Sequence, residues 1–283
     1  MKKLSLLLTA MLSFSSVVNA KSSVWKIEKD GNVAYLGGTV HILKNSEPAL
    51  PGEYKQAYKD AEKVIFEVPI DKLAAPEFQS KMMTQAFYSG EKSLKTVMSP
   101  DVYKRLKDFC TKEGIPFNDK VKPGFLSSMI LVMMAQKHGF SMEGIDSRYF
   151  EQAKKDGKQI GALETVDLQL SYITSMGVGN ENNFFKYSLK DMSDFETAMN
   201  SMITAVKKGD TQFLTEKVLE PSKAFPSIYD KLVVERNKNW IPQIESMMKT
   251  KEKEFIMVGA LHLVGEQGVL KMLRDKGYKI KQL

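Results

Sequence analysis

The sequence predicts an α/β protein, a central mixed β-sheet flanked by many helices. Two observations lead there. Short apolar runs rich in β-branched and aromatic residues recur along the chain, and the stretches between them carry apolar residues at helical spacing and end in capping or turn residues. With 43% hydrophobic and 27% charged residues in 283, the chain supports one core, or two small ones, and is neither disordered nor a multi-span membrane protein.

The first element is a targeting segment. Lys2 and Lys3 precede an uncharged apolar run over residues 4–18, and Val18-Asn19-Ala20 supplies the small residues of a cleavage site. Cleavage after Ala20 is expected, leaving residues 21–283 as a single domain in the periplasm or outside the cell. An uncleaved anchor is the alternative, but the run sits near the lower length limit of a span and its small-residue exit favours cleavage. No other transmembrane span is expected. Residues 126–135 are too few, follow Pro123-Gly124, and read as a buried helix.

Residues 25–27 and 33–36 read as a hairpin joined across Lys29-Asp30-Gly31-Asn32. Residues 64–68, 159–163 and 255–258 read as interior strands. Ser99-Pro100 opens a helix that buries Val102, Leu106, Phe109 and Cys110 and stops at Gly114. Ser193 and Glu196 form a capping box ahead of the stripe Phe195, Met199, Met202, Ile203 and Val206, which ends at Lys207-Lys208-Gly209. Residues 180–183 read as an exposed loop, and the helix-rich region 121–246 as a cap or flank.

Composition narrows function. The single cysteine, Cys110, excludes an internal disulfide framework and a multi-thiolate zinc cluster. Although the net charge is +7, 34 acidic residues are interleaved with 41 basic ones and no Lys/Arg run exceeds two, so no nucleic-acid partner is expected.

Chemistry is concentrated in the histidines. Of three in the chain, His41 and His262 each follow a strand pattern through Gly-x-x-His, in Gly38-Thr39-Val40-His41 and Gly259-Ala260-Leu261-His262. A strand-end glycine lets the backbone bend and delivers an imidazole to the carboxyl edge of the sheet, where open α/β sheets build sites. His138, at a helix end before Gly139, is explained by the helix dipole alone. Two carboxylates stand in comparable places: Glu67 within the run 64–68, and Glu164 just after 160–163. A carboxylate in a buried strand is costly unless paired or bound to a cation, although Glu67 on an exposed face and Glu164 as a helix-start charge are the plainer explanations. On the helix after Pro226, Arg236 falls midway between Leu232 and Trp240 on the apolar face, with Asn237 beside it. It serves either as a core-edge ion pair or as a holder of a catalytic carboxylate or developing negative charge.

The ordered set Trp25-x-Ile27, Tyr35-Leu36-Gly37-Gly38-Thr39-Val40-His41, Phe66-Glu67, Gly144-Ile145-Asp146, Ala162-Leu163-Glu164-Thr165 with Gln169, Glu235-Arg236-Asn237 and Val258-Gly259-Ala260-Leu261-His262 closely resembles the TraB/GumN family. The match runs over nearly all of residues 21–283. The resemblance implies the wider superfamily of Tiki-like proteins, erythromycin esterases and haem-binding ChaN-like lipoproteins, in which paired Gly-x-x-His motifs and glutamates share a site. Tiki members are described as divalent-metal-dependent proteases. By motif position, His41, Glu67 and His262 take the central roles, with Glu164, Arg236 and Asn237 supporting.

The residues agree with that chemistry. Two imidazoles and one or two carboxylates form a mixed donor set suited to Mn, Co, Zn or Fe as a divalent ion, with room left for water. The expected activity is metal-dependent hydrolysis of an amide or ester in a peptide or small substrate, with His41, His262 and Glu67 as metal ligands. Glu67 or Glu164 would take the proton and Arg236 would stabilise the oxyanion. A metal-free scheme, in which a histidine–glutamate pair activates water, stays open, as does a binding protein that sequesters a peptide, haem or metal in the same pocket. There is no His-Glu-x-x-His or Gly-x-Ser-x-Gly motif and no Walker A loop. Because each half of the chain supplies a Gly-x-x-His and a strand-end glutamate, a weak internal duplication is also open.

Overall fold

A computed structural model describes residues 21–44, 46, 49–190 and 192–283. The expected signal segment, residues 1–20, and the Ser193 side chain of the expected capping box lie outside the described residues. The fold is mixed α/β. Its strands are β1 (Val24–Lys29), β2 (Asn32–Thr39), β3 (Leu43–Lys44), β4 (Lys63–Phe66), β5 (Phe140–Ser141), β6 (Gln159–Ala162), β7 (Glu254–Gly259) and β8 (Lys279–Gln282). Six form one sheet in the order β6-β4-β7-β2-β1-β8, while β3 and β5 make a separate antiparallel pair.

The sheet is mixed because its two halves are connected differently. β1 and β2 form a tight antiparallel hairpin whose turn residues Asp30 and Gly31 both have positive φ, 52° and 82°. That is the conformation a two-residue hairpin turn requires and that Asp-Gly tolerates. β6, β4, β7 and β2 run parallel and are linked through long helical stretches. β7 shows why such strands read as continuous apolar runs: every side chain from Phe255 to Val258 is at most 1% exposed. Trp25, Phe66, Phe255 and Trp240 are among the largest fully buried side chains of the core.

Several boundaries differ from expectation. β4 stops at Phe66, so Glu67 is not inside the strand but first beyond it. β6 is an edge strand, not an interior one; it is only four residues long, which limits the backbone it leaves unpaired. Residues 180–183 are no exposed loop: a helix, Glu181–Ser188, starts there, and Glu181 is buried because Tyr88 Oη and the Gly179 N–H both donate to its carboxylate. The helix Pro100–Glu113 begins and ends as its sequence indicates, with Gly114 at φ 72°, but the Ser99 hydroxyl bonds Asn182 rather than capping. Phe195–Lys208 is helical with Gly209 as its left-handed stop, and Glu196 reaches Lys44. The strand β8 and the small β3/β5 pair have no counterpart among the expected elements.

Two helical passages contain wide turns. Leu214–Leu219 and Asp230–Val234 are π-helical, the second lying between the α-helical Pro226–Tyr229 and Glu235–Met247. Such turns place one extra residue in the helix and recur at functional sites. Among the described residues no helix is long and apolar enough to cross a membrane.

Candidate functional site

The four parallel strands end at one edge of the sheet, and the segments leaving their carboxyl ends form the site. β2 pairs with β7 so that Gly38 lies opposite Val258 and Thr39 opposite Gly259, which brings both Gly-x-x-His segments out side by side. β4 lies on the other side of β7. Beyond β4 and β6 the ladder continues, with the Leu163 N–H donating to Phe66 O at 2.9 Å and the Glu164 N–H to Glu67 O at 2.8 Å. The two glutamates are thereby neighbours, although 97 positions separate them in the chain.

Arg236 closes the floor. Its helix places the side chain between these carboxylates, and all five N–H bonds of the guanidinium are taken. Nε donates to Glu164 Oε1 at 2.8 Å, and Nη2 to Glu164 Oε2 at 2.9 Å and Glu67 Oε2 at 2.5 Å. Nη1 meets Leu232 O at 3.3 Å and His262 Nε2 at 3.0 Å. The Trp240 indole N–H donates to Glu164 Oε1 at 2.9 Å, and the Gly259 N–H to Glu67 Oε1 at 2.6 Å. Burial opposes charge on Glu67, yet Arg236, the nearby imidazoles and the Gly259 N–H together take its pKa down to about 2. Burial also works against charge on Arg236, but Glu67 and Glu164 outweigh it and raise its pKa further. Two carboxylates against one guanidinium leave the floor with a surplus of one negative charge.

Asn237 sets the tautomer of His262. Its Nδ2 donates to the carbonyls of His262 at 3.1 Å and Gln267 at 2.7 Å, so its Oδ1, 2.7 Å from His262 Nδ1, must accept the imidazole proton. His262 Nε2 then carries a lone pair, which Arg236 Nη1 occupies. Desolvation pushes the His262 pKa down to about 3, and Trp240 packs over the ring with 4.5 Å between centroids.

His41 is different. Its side chain is 58% exposed and its Nδ1 lies 2.9 Å from Asp146 Oδ2. The contact depends on Gly144, because the Ile145 N–H donates to Val40 O at 2.9 Å and a Cβ on Gly144 would stand 2.2 Å from that same oxygen. The Asp146 carboxylate, aided by Glu67, raises the His41 pKa above the ordinary histidine range.

His41, Glu67, Arg236 and His262 border one cavity of about 490 Å³, whose walls are otherwise mostly Met, Leu, Ile and Val. Both π-helical passages contribute, through Leu214, Leu219, Leu232 and Val233. The structure therefore joins Glu67, Glu164, Arg236, Asn237 and His262 in one hydrogen-bonded network and leaves His41 at its rim with Asp146. Sequence reasoning gives Asp146 no role of its own, although Gly144-Ile145-Asp146 is one of the motifs, and places Trp240 only on an apolar stripe.

The expected metal ligands can be tested on their lone pairs. His262 Nε2 has one, engaged by Arg236, and each Glu67 oxygen already accepts a hydrogen bond. Among the described residues no group of three or more His, Cys, Asp or Glu side chains is disposed to hold an ion. In this arrangement His41, Glu67 and His262 could hold a divalent ion together only after His262 Nε2 is released from Arg236. Arg236, with no free N–H, is not placed to receive an oxyanion.

Fold and site together define an α/β protein with a polar-floored apolar pocket at the carboxyl edge of its sheet. The chain belongs to the TraB/PrgY/gumN family, which it matches over residues 23–282. It is similar to proteins named "Uncharacterized protein YbaP" in Shigella flexneri and Escherichia coli (strain K12). The first is 24% identical over 247 residues, covering 85% of this chain and 88% of the relative, and the second 24% over 246 residues, covering 85% and 87%. No solved structure matches the chain.

Proposed function

We propose that the protein is an exported hydrolase of amide or ester bonds, with His41 as its proton acceptor. The observation that carries this reading is the His41–Asp146 pair, 2.9 Å apart, on the wall of an apolar cavity. Asp146 holds the ring through Nδ1 and raises its pKa to about 9, so the neutral ring that takes a proton from water as the water oxygen attacks the substrate carbonyl is populated at alkaline pH, and turnover should rise toward about pH 9. As the carbon–oxygen or carbon–nitrogen bond of the tetrahedral species breaks, His41 returns the proton to the leaving group, giving an acid and an alcohol or amine. Glu67 is too weak a base for this step with a pKa near 2. Its charge instead favours protonation of His41, and Arg236, Glu164, Asn237 and His262 hold Glu67 in place.

The test is an assay of the protein, purified without tag or chelator, on p-nitrophenyl esters and aliphatic anilides, beside His41→Ala. Loss of about a hundredfold or more in kcat/KM is expected in the variant. Undiminished turnover removes His41 from the reaction. Tight binding without turnover moves the protein to the second class, a sequestering protein.

A divalent ion of the Mn, Co, Zn or Fe kind, held by His41, Glu67 and His262, is a second form of the hydrolase reading. It is favoured by the three side chains bordering one cavity, and it requires His262 Nε2 to be released from Arg236. Activity that disappears on chelation and returns with one of these ions selects it. Export rests on Lys2, Lys3, the apolar run and Val18-Asn19-Ala20. N-terminal sequencing of the mature protein should begin at Lys21, three residues before β1.

A further inference from the structure

A second concavity, of about 660 Å³, shares no lining residue with the cavity that His41 borders. It is lined from the helices Gly52–Asp60 and Ile145–Lys155 and the segments beside them, and it has the volume of a small-molecule site. Four cationic side chains face one carboxylate there: Lys55, Lys59, Arg148 and Lys158 against Asp156. The carboxylate is already engaged, because Tyr58 Oη donates to it at 2.7 Å and Gln152 Nε2 at 2.9 Å. Lys158 donates to Ala61 O and stands 5.0 Å over the Tyr58 ring. Among the described residues the side chains of Lys55, Lys59 and Arg148 have neither a hydrogen bond nor an ion pair. For the two lysines, both exposed, that is ordinary solvation. For Arg148, half-buried in the wall, it is not, since a guanidinium drawn back from water normally meets a carboxylate, a carbonyl or an aromatic face.

We infer that this cleft is a binding site for a small aromatic phosphate ester, its dianionic head held by Arg148 with Lys55 and Lys59 and its ring laid against Tyr58 and Tyr149. The charge selects an anion, because the lining carries three more positive than negative groups. Arg148 matches the oxygens of a phosphate with paired N–H bonds, and Lys55 and Lys59, one helical turn apart, present their charges from one face. The tyrosines select the rest of the ligand. Their ring centroids lie 5.3 Å apart in the same wall, beside Leu50 and Pro51, and inorganic phosphate would leave that surface bare. The site does not depend on the hydrolase reading, since none of its residues borders the cavity of His41.

The experiment titrates 1-naphthyl phosphate, 1-naphthol and inorganic phosphate into the purified protein by calorimetry, and repeats this with Arg148→Gln, with Lys55→Gln/Lys59→Gln and with His41→Ala. The ester should bind about tenfold or more tightly than either fragment, and more weakly when sodium chloride is raised to about 0.5 M. Arg148→Gln should weaken it about tenfold or more and the lysine pair about three- to tenfold, while His41→Ala leaves it unchanged. The melting temperature separates binding from a structural role. Without ligand Arg148→Gln should melt as the parent does, because the group removed has no partner; saturating ester should raise the parent's melting temperature and not the variant's. Inorganic phosphate bound as tightly as the ester would show an adventitious ion only and overturns the inference. So do absence of ester binding, undiminished affinity in Arg148→Gln, and loss of binding in His41→Ala, which would put the ester in the other cavity.

Discussion

The two Gly-x-x-His segments lie side by side on parallel strands, yet their imidazoles have opposite fates. His262 is buried, bonded at both nitrogens, and held neutral by desolvation, whereas His41 is more than half exposed and drawn toward the charged form by Asp146. A shared motif delivers the ring to the edge of the sheet; the partners that meet it there decide its chemistry. For His262 the partners come from the helix that carries Arg236 and Asn237, and for His41 from the helix Ile145–Lys155. The floor is a buried ion network and the rim carries the base of the proposed reaction, so substitutions in the two should separate stability from turnover.

The largest effect is expected at the floor. Arg236→Met leaves Glu67 and Glu164 buried and unpaired, and should lower stability by about 3–5 kcal/mol in urea unfolding, as for other broken buried pairs. A loss below about 1 kcal/mol would show that the network is not what the hydrogen bonds indicate. Next is the rim, where His41→Ala should cost clearly less stability than Arg236→Met, because the His41 side chain is more than half exposed and its pairing with Asp146 is screened, while lowering kcat/KM about a hundredfold. If both variants lost stability equally, the division between floor and rim would collapse.

Acid should act on the floor first. The folded pKa of His262 is depressed to about 3, so its contribution to stability is present above the ordinary histidine range and is lost as pH falls from about 6.5 toward 3, with Glu67 adding a loss below about pH 4.5. The slope should approach about 1.4 kcal/mol per pH unit for His262 alone. Unfolding followed between pH 7 and 5 checks this, with His262→Gln flattening the curve. The smallest effect is at Asp146. Asp146→Asn should lower the His41 pKa from about 9 toward its ordinary range, seen in the ring C–H shifts by NMR titration, and move the alkaline rise of kcat/KM to lower pH while reducing its plateau about tenfold.

Much of this site is legible in the sequence because its members sit at strand ends or on one helical stripe. Gly38-x-x-His41, Gly259-x-x-His262, Glu67, Glu164 and Arg236 each break an apolar pattern or follow it at a fixed step, which is what a periodicity argument detects. Asp146 breaks nothing. It reaches His41 across 105 positions through one close backbone approach at Gly144, and no local pattern announces a tertiary contact of that kind. Glu181 shows the same limit from the other side, since a polar stretch that reads as a loop is a helix start whose carboxylate is buried by Tyr88. The short strand β8 lacks an apolar signature because its Lys279 and Lys281 are exposed at the sheet edge.

The π-helical turns give the pocket an unusual evolutionary handle. A π turn is what an α-helix becomes when one residue is inserted into it, and here both such turns face the same cavity. Deleting a single residue from Asp230–Val234 would restore regular winding and rotate Tyr229 by about 100° relative to Arg236. Gaining or losing one codon can therefore reshape the wall of the cavity while the sheet beneath it stays as it is.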